Sequence, residues 1–227
     1  ESDKNKTFFY SLLALSSLFV ILGFQSDAVD TPYSDVELVS DIRPGAEGSS
    51  PQYLTAFNGK LYFSADNENG VSKLWSFDGS KANEIEGRYG ESPQYLTVYD
   101  GALYFSAPGP DGRELWVYDG SSVSQVADIN PGPESSSPSG FTVYDGVLYF
   151  SAADGDDGGG LWMYDGTTVS EIKMSKGSYP GGFTPHDGSL YFSARSKDAG
   201  SELWSFNGST FRLEADINEG AAASRPS

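Results

Sequence analysis

Cysteine is absent from the 227 residues, so the chain has no disulfide, no thiolate metal site and no cysteine-borne lipid. Histidine occurs once, at His186, which leaves no imidazole cluster for zinc. Basic residues are scarce: 14 Lys and Arg stand against 32 Asp and Glu, for a net charge of −18 and a pI near 4.2. That balance argues against nucleic acid, because phosphate binding needs clustered cations to release counterions. It also argues against attraction to anionic lipid headgroups. What the chain has in quantity is Gly (27), Pro (12), Tyr (14) and Phe (14), a composition suited to short strands joined by many turns. The length is ample for a sizeable core.

The first segment differs from the rest. Residues Thr7 to Phe24 run without a charge, behind Lys4 and Lys6 and ahead of Asp27 and Asp30. This length borders both a membrane-spanning helix and a signal-peptide core, and the flanking charges place its N-terminus inside. Ser26 and Ala28 are small residues at −3 and −1 of a cleavage site before Val29. Residues 1–28 are therefore expected to be an apolar helix with one of three fates: a removed secretory signal, a membrane anchor, or a segment packed in a filament core. A long apolar helix ahead of a globular head resembles type IV pilin-like subunits, although Asn5 stands where bacterial pilins carry a glutamate. That resemblance implies association with copies of the same chain through residues 7–24. Residues 29–35 read as a linker.

The remainder, residues 36–227, is a tandem repeat. The pentapeptide Leu61-Tyr62-Phe63-Ser64-Ala65 recurs at Leu103–Ala107, Leu148–Ala152 and, as Leu190–Ala194, near the end. A turn pair precedes each copy: Asn58-Gly59, Asp100-Gly101, Asp145-Gly146 and Asp187-Gly188. Trp75, Trp116, Trp162 and Trp204 keep the same register, each behind a leucine and ahead of a second pair, Asp78-Gly79, Asp119-Gly120, Asp165-Gly166 and Asn207-Gly208. Pro51, Pro93, Pro138, Pro180 and Pro226 mark the spaces between copies. Equivalent residues lie 41 to 46 positions apart. The copies cover approximately 43–87, 88–129, 130–174 and 175–217, with a partial fifth at 218–227.

Each copy reads as four short strands. In the first these are Tyr53–Phe57, Leu61–Ala65, Leu74–Phe77 and, more weakly, Asn83–Glu86; the fourth strand of the second copy is Val123–Ile129. Asn-Gly and Asp-Gly are hairpin turns whose residues accept positive φ. The first two strands are nearly continuously apolar, the pattern of strands buried on both faces. Four-stranded units of this period predict an all-β fold, a β-propeller of four-stranded blades. Asp35–Ile42 repeats the pattern of Thr210–Ile217, so a leading fourth strand is expected before the first full copy. Three arrangements then fit: part of a larger ring of five to eight blades, four blades with a redundant end strand, or a spare edge that pairs with a neighbouring molecule.

The strings Glu114–Gly120 (ELWVYDG) and Glu202–Gly208 (ELWSFNG), with Asp128–Gly132 (DINPG) and the LYFSA blocks, resemble the ELWxxDGT repeat family. The likeness extends over about residues 36–227. It implies an exported bacterial protein of propeller-type repeats, mostly without an assigned activity. Lys73 and Gly160 stand where the motif has glutamate, so that glutamate is not required in every blade for folding.

Strand parity puts the tight turns on one end of each blade. The longer connections, Asp66–Lys73, Pro108–Arg113, Ala153–Gly160, Arg195–Ser201 and inter-blade stretches such as Arg43–Pro51, share the other. Loops on a rigid scaffold are where binding tends to reside. Asp66, Glu68, Asp111 and Asp198 are the candidate ligand-binding residues for a glycan or protein. Asp154, Asp156 and Asp157, in a DGDDG stretch, are the candidate metal ligands, with Ca²⁺ the cation that oxygen-rich loops suit; the full EF-hand spacing is missing. The plainer reading is that acidic, glycine-rich loops make soluble turns and no cofactor is needed. The tryptophans read as blade packing. His186 occupies the strand-end place of Phe57, Tyr99 and Tyr144, a packing position. Ser64, Ser106, Ser151 and Ser193 lie mid-strand, where they are expected to satisfy buried polar groups between blades. No G-x-S-x-G or phosphate-cradling pattern occurs. Converging loop carboxylates of a polysaccharide-active enzyme are a third reading. The sequence thus points first to a non-catalytic structural protein, extracellular or at the cell surface, and second to a secreted binding module.

Overall fold

The computed structural model describes residues 38–87, 90–155, 158–174, 178–196 and 200–219, and the dipeptides 13–14 and 17–18. The expected N-terminal helix falls almost wholly outside them. Its two described dipeptides, β1 (Leu13–Ala14) and β2 (Ser17–Leu18), pair antiparallel rather than as helix. Apolar runs do not distinguish the two states by periodicity alone.

The chain divides into two compact units, Glu1–Glu86 and Gly87–Ser227. The first unit holds one four-stranded antiparallel sheet, β3 (Gln52–Phe57), β4 (Lys60–Asp66), β5 (Ser72–Phe77) and β6 (Ala82–Glu84), in chain order across the sheet. The second holds three more. They are β7 (Gln94–Tyr99) to β10 through β8 (Ala102–Gly109), β9 (Gly112–Tyr118) and β10 (Val123–Ala127); then β11 (Ser139–Tyr144), β12 (Val147–Ala153), β13 (Gly159–Tyr164) and β14 (Val169–Ile172); then β15 (Gly181–His186), β16 (Ser189–Ser196), β17 (Gly200–Phe206) and β18 (Phe211–Ala215). Every sheet is an up-and-down meander, one per repeat, as the spacing predicts.

The two turn pairs of each repeat work differently. Asn58 (φ 47°) and Gly59 (φ 72°) both take left-handed geometry, the two-residue turn that matches strand twist. In the second turn only Gly79 does so. There the Asp78 carboxylate accepts from the Ser80 and Lys81 amides, each at 2.9 Å, and from Ser80 Oγ at 2.7 Å. Asp119 does the same for Ser121 and Ser122, and Asn207 for Ser209 and Thr210. These side-chain oxygens are turn-builders. Their hydrogen bonds hold Asp78 and Asp119 down to about 2.

Within the second unit the first strands β7, β11 and β15 are neighbours, so they are the inner strands of adjacent blades. Side chains alternate between two inter-blade layers. One joins Tyr99, Tyr104, Leu115 and Ile129 of one blade to Phe141, Leu148, Phe150 and Ala152 of the next. The other joins Tyr149 and Leu161 to Phe183, Leu190, Phe192 and Phe206. Each buried aliphatic or aromatic side chain contributes about 1.5–3 kcal/mol relative to exposure. Polar staples accompany the layers: Tyr99 Oη donates to Gly146 O at 3.0 Å and Tyr144 Oη to Gly188 O at 2.7 Å.

Several expectations need correction. The second strands β4, β8 and β12 are buried on both faces while β16 is buried on one, and the first strands are not: Leu54, Tyr95, Val98 and Val143 on β3, β7 and β11 are exposed. A register shift in each first strand, with Tyr53 and Tyr95 at positive φ, turns alternate residues outward. The expected leading strand is absent over 38–42, its remaining residues lying outside the described ones; the first sheet already has its own fourth strand, and Ile42 instead packs with Phe63, Ala65 and Ala82. The fourth strand of the second copy stops at Ala127, because the Ile129 amide turns to a side-chain carboxylate. The partial fifth copy lies outside the described residues beyond Glu219.

Candidate functional site

At the end of the blades opposite the Asn/Asp-Gly turns, the connections leading into the first, third and fourth blades enter at a Ser-Ser/Tyr-Pro step, Ser49-Ser50-Pro51, Ser136-Ser137-Pro138 and Ser178-Tyr179-Pro180. The residue two before the proline accepts from the far end of its own blade's second strand. Asp66 N donates to Ser49 O at 2.7 Å, Ala153 N to Ser136 O at 2.9 Å and Arg195 N to Ser178 O at 2.7 Å. The residue just before the proline donates backwards. Ser137 N reaches Arg113 O and Tyr179 N reaches Gly159 O, both at 3.0 Å. The connections that end at Pro138 and Pro180 are thereby tied to the blade before them and the blade after them.

Glu114 is the centre of this arrangement in the second unit. It opens the ELW string on β9 and is fully buried. Its carboxylate accepts from Ile129 N at 2.9 Å, Ser136 N at 2.8 Å and Ser136 Oγ at 2.5 Å. Both ends of the connection 129–136 are thus pinned to one side chain. Burial pushes the Glu114 carboxyl up, against the opposing pull of the Ser136 and Ile129 donors. Beside it, the Arg113 guanidinium donates to Ser92 O at 3.1 Å and Ser106 O at 3.0 Å, and Arg113 N donates to Ser135 Oγ at 2.9 Å. Glu202 repeats the feature, fully buried and accepting from Ile217 N at 2.9 Å.

The sequence departures at this position also have a structural account. A Cβ on Gly160 would stand 2.9 Å from Glu171 Oε1, so in the third blade a carboxylate from β14 fills the space the motif glutamate would enter. Blades one and three, lacking the glutamate, fold into the same meander, as the sequence reading expects. In these two blades the indole donates to the alanine of the LYFSA block, Trp75 Nε1 to Ala65 O at 3.0 Å and Trp162 Nε1 to Ala152 O at 3.1 Å.

Of the expected site residues, Asp156, Asp157 and Asp198 lie outside the described residues. Asp66 is half-buried at the end of β4, and Glu68 is exposed in the following loop, which is built on Asn67 accepting from the Asn69 and Val71 amides. Glu68 lines a shallow cleft of about 430 Å³ with Arg43, Pro44, Ala46 and Glu47, where Arg43 Nη2 meets Glu47 Oε2 at 2.6 Å. Asp111 sits in a tight turn between β8 and β9 instead of the long loop expected for 108–113, since those strands extend to Gly109 and from Gly112. Gly112 adopts φ +85° and lies so close to the Glu134 carbonyl that a Cβ would meet it at 2.6 Å. Asp154 is half-buried at the end of the third blade's second hairpin, and the neighbouring Gly155 abuts Asn130. Asp111 and Asp154 therefore flank the same connection from two adjacent blades. Among the described residues no three His, Asp or Glu side chains stand together as a metal-binding group.

Ser64 bonds within its own blade rather than between blades, its Oγ 2.8 Å from Ser72 Oγ on the adjacent strand, while Ser106 Oγ is buried with no hydrogen-bond partner among the described residues. His186 is exposed, with its ring 5.9 Å from that of Tyr191. The residues that sequence reasoning passed over are Arg113 and Ser136. The signal for Ser136 was present in the serine that recurs two places before the proline at Ser49 and Ser178.

Comparison with solved structures identifies the architecture. Acylaminoacyl peptidase from Pyrococcus horikoshii is similar at a TM-score of 0.56 and 16% identity, over 76% of this chain and 28% of that one. The β-propeller domain of the Trilobed protease from Pyrococcus furiosus, described as having an open velcro topology, is similar at a TM-score of 0.51 and 15% identity, over 73% of this chain and 52% of that one. The fold is a β-propeller. An acylaminoacyl peptidase in complex with a chloromethyl ketone gives a TM-score of 0.52 at 16% identity, covering 73% of this chain and 27% of that one. The propeller chain thus spans about half the length of these proteins or less. At such identities the likeness is one of fold, not activity. No family model matches the sequence, and no curated protein does.

Proposed function

We propose that this propeller is a non-catalytic structural head, exported and displayed at the cell surface, with the apolar residues 7–24 holding it in a membrane or a filament. The observation that carries the reading is the engagement of Glu114. The one buried acid of the repeat motif is occupied by donors of the connection it anchors, so the motif is accounted for by architecture. Its membership of the ELWxxDGT repeat family and its extracellular location belong to the same proposal. Deleting residues 1–28 is expected to release a soluble, folded head, while the full chain fractionates with membranes or filaments. Recovery of the full chain as a soluble monomer processed after Ala28 overturns the anchoring.

A second reading is favoured by how the connection 128–138 is held. Its exposed residues Asp128, Pro131, Pro133 and Glu134 are presented from a backbone pinned at both ends, which lowers the entropic cost of binding a glycan or protein. Titration calorimetry against a glycan panel, with and without Ca²⁺, tests it. Silence in both arms removes this reading and leaves the structural one standing.

A further inference from the structure

Three Asn-Gly pairs occur in the chain: Asn58-Gly59, Asn69-Gly70 and Asn207-Gly208. Each sets an electrophile, the side-chain amide carbon, next to a nucleophile, the backbone nitrogen of a residue with no side chain to obstruct it. Ring closure needs both groups free to move into contact. All six residues are exposed, so access to water does not separate the pairs. Asn58 and Asn207 share the tripeptide Phe-Asn-Gly, so the local sequence does not separate those two either. The fold does.

At Asn207 the electrophile is held. Its Oδ1 accepts from Ser209 N and Ser209 Oγ, both at 3.0 Å, from Thr210 N at 2.9 Å and from Thr210 Oγ1 at 3.2 Å. At Asn69 the nucleophile is held. Gly70 N donates to Asn67 O at 2.9 Å, and Asn67 Oδ1 accepts from the amides on either side, Asn69 N at 3.0 Å and Val71 N at 3.1 Å. At Asn58 neither group is held. Among the described residues no hydrogen bond engages its side-chain amide or Gly59 N, and nothing lies within 4 Å of a Cβ built on Gly59. The peptide between them is free to swing.

We propose that Asn58 is a site of spontaneous deamidation, selected by the fold from the three Asn-Gly pairs. Gly59 N attacks Asn58 Cγ and gives up its proton. The Cγ–Nδ2 bond breaks and ammonia leaves with that proton, which closes a succinimide. Water then opens the ring at either carbonyl, and nothing is oxidised or reduced. Release of the nitrogen from Cγ gives aspartate, the residue of the other three copies: Asp100, Asp145 and Asp187 hold φ of 43°, 48° and 43° where Asn58 holds 47°. The turn therefore accepts that product. Release from the main-chain carbon gives isoaspartate, which routes the backbone through Cβ and lengthens a turn that sets Phe57 opposite Lys60. Phe57 is 6% exposed, so a slip there moves a buried ring. Either product adds one negative charge to a chain at −18. This inference is independent of how residues 7–24 are used.

The test incubates the full chain at neutral pH in water enriched in heavy oxygen, once folded and once in concentrated urea. Mass spectrometry of the three Asn-Gly peptides then follows each conversion. In the folded chain Asn58 is expected to convert about fivefold or more faster than Asn69, and about tenfold or more faster than Asn207. These are the factors for one and for several hydrogen bonds that must break before the ring closes. In urea the three rates are expected to converge, because the bonds that separate them are gone. Asn67→Ala removes the acceptor that braces the Asn69-Gly70 peptide, and is expected to raise the Asn69 rate several-fold while leaving Asn58 unchanged. An Asn58 that does not convert in the folded chain, or an Asn69 or Asn207 that keeps pace with it, overturns the proposal. So does an order of rates that survives unfolding, or an Asn69 rate unmoved by Asn67→Ala.

Discussion

Truncating Glu114 to alanine probes the blade junction directly. It removes the acceptor for the Ile129 amide, the Ser136 amide and the Ser136 hydroxyl while leaving all three in the fold. A buried donor left without a partner costs about 1–3 kcal/mol. The opposing gain is relief from burying a carboxylate, several kcal/mol after relaxation, and water entering the new cavity recovers part of the donors' loss. The deletion is therefore expected to cost about 2–4 kcal/mol net, within the range seen on breaking buried polar networks. With a urea slope of about 2 kcal/mol/M, the midpoint falls by about 1–2 M. Hydrogen exchange supplies the local readout. The amides of Ile129 and Ser136 lie outside any strand ladder, so without the carboxylate they exchange as exposed loop amides, and with it they are protected. Glu114→Gln, which keeps one acceptor and presents NH₂ to a donor, is expected to fall between the two. An unchanged urea midpoint in Glu114→Ala, or fast exchange of both amides in the unaltered chain, refutes the clasp.

Gly160→Glu places the motif glutamate against Glu171 and is expected to destabilise by about 1–2 kcal/mol through crowding and like charge; adding Glu171→Gln is expected to return at least half of that, measured as coupling in a double-mutant cycle. Ser137 holds φ 49° while its amide bonds Arg113 O, so Ser137→Gly keeps the bond, relieves the strain and is expected to add about 0.5–1 kcal/mol by chemical denaturation; a loss of stability there contradicts the strain. The pH dependence has two opposite parts. Asp78 and Asp119 are held near 2 from a usual 3.8, so their contribution is present above that usual value and is lost as pH falls toward 2; Asp119→Asn, copying Asn207, is expected to keep neutral-pH stability and lose its share of the acid sensitivity. Glu114 is raised above 4.5, so its folded form takes up a proton first, and the unaltered chain is expected to gain stability relative to Glu114→Gln as pH falls toward 4.5 in thermal melts.

How much of this was legible beforehand varies residue by residue. The meander of each blade was legible, because Asn58-Gly59 and its counterparts demand hairpins and the LYFSA blocks can only be interior strands. The exposure of Leu54 and Val143 was not, since the register shift that turns them outward depends on pairing with the second strand. The acidity of Asp78 and Asp119 was legible as turn chemistry. The role of Glu114 was not: its partners stand 15 and 22 residues away, a separation that only the folded connection closes.

Cysteine's absence and the 41-to-46-residue period already determined that this chain builds its stability from repeated apolar layers instead of covalent staples. Local rules suffice for that, because turn preference and strand alternation act over a few residues. Which acid pins both ends of a connection, and which apolar residues are left uncovered, were decided only by the tertiary structure. Burial is a property of what lies on the other side of a side chain, and in a repeat protein the other side belongs to the next repeat.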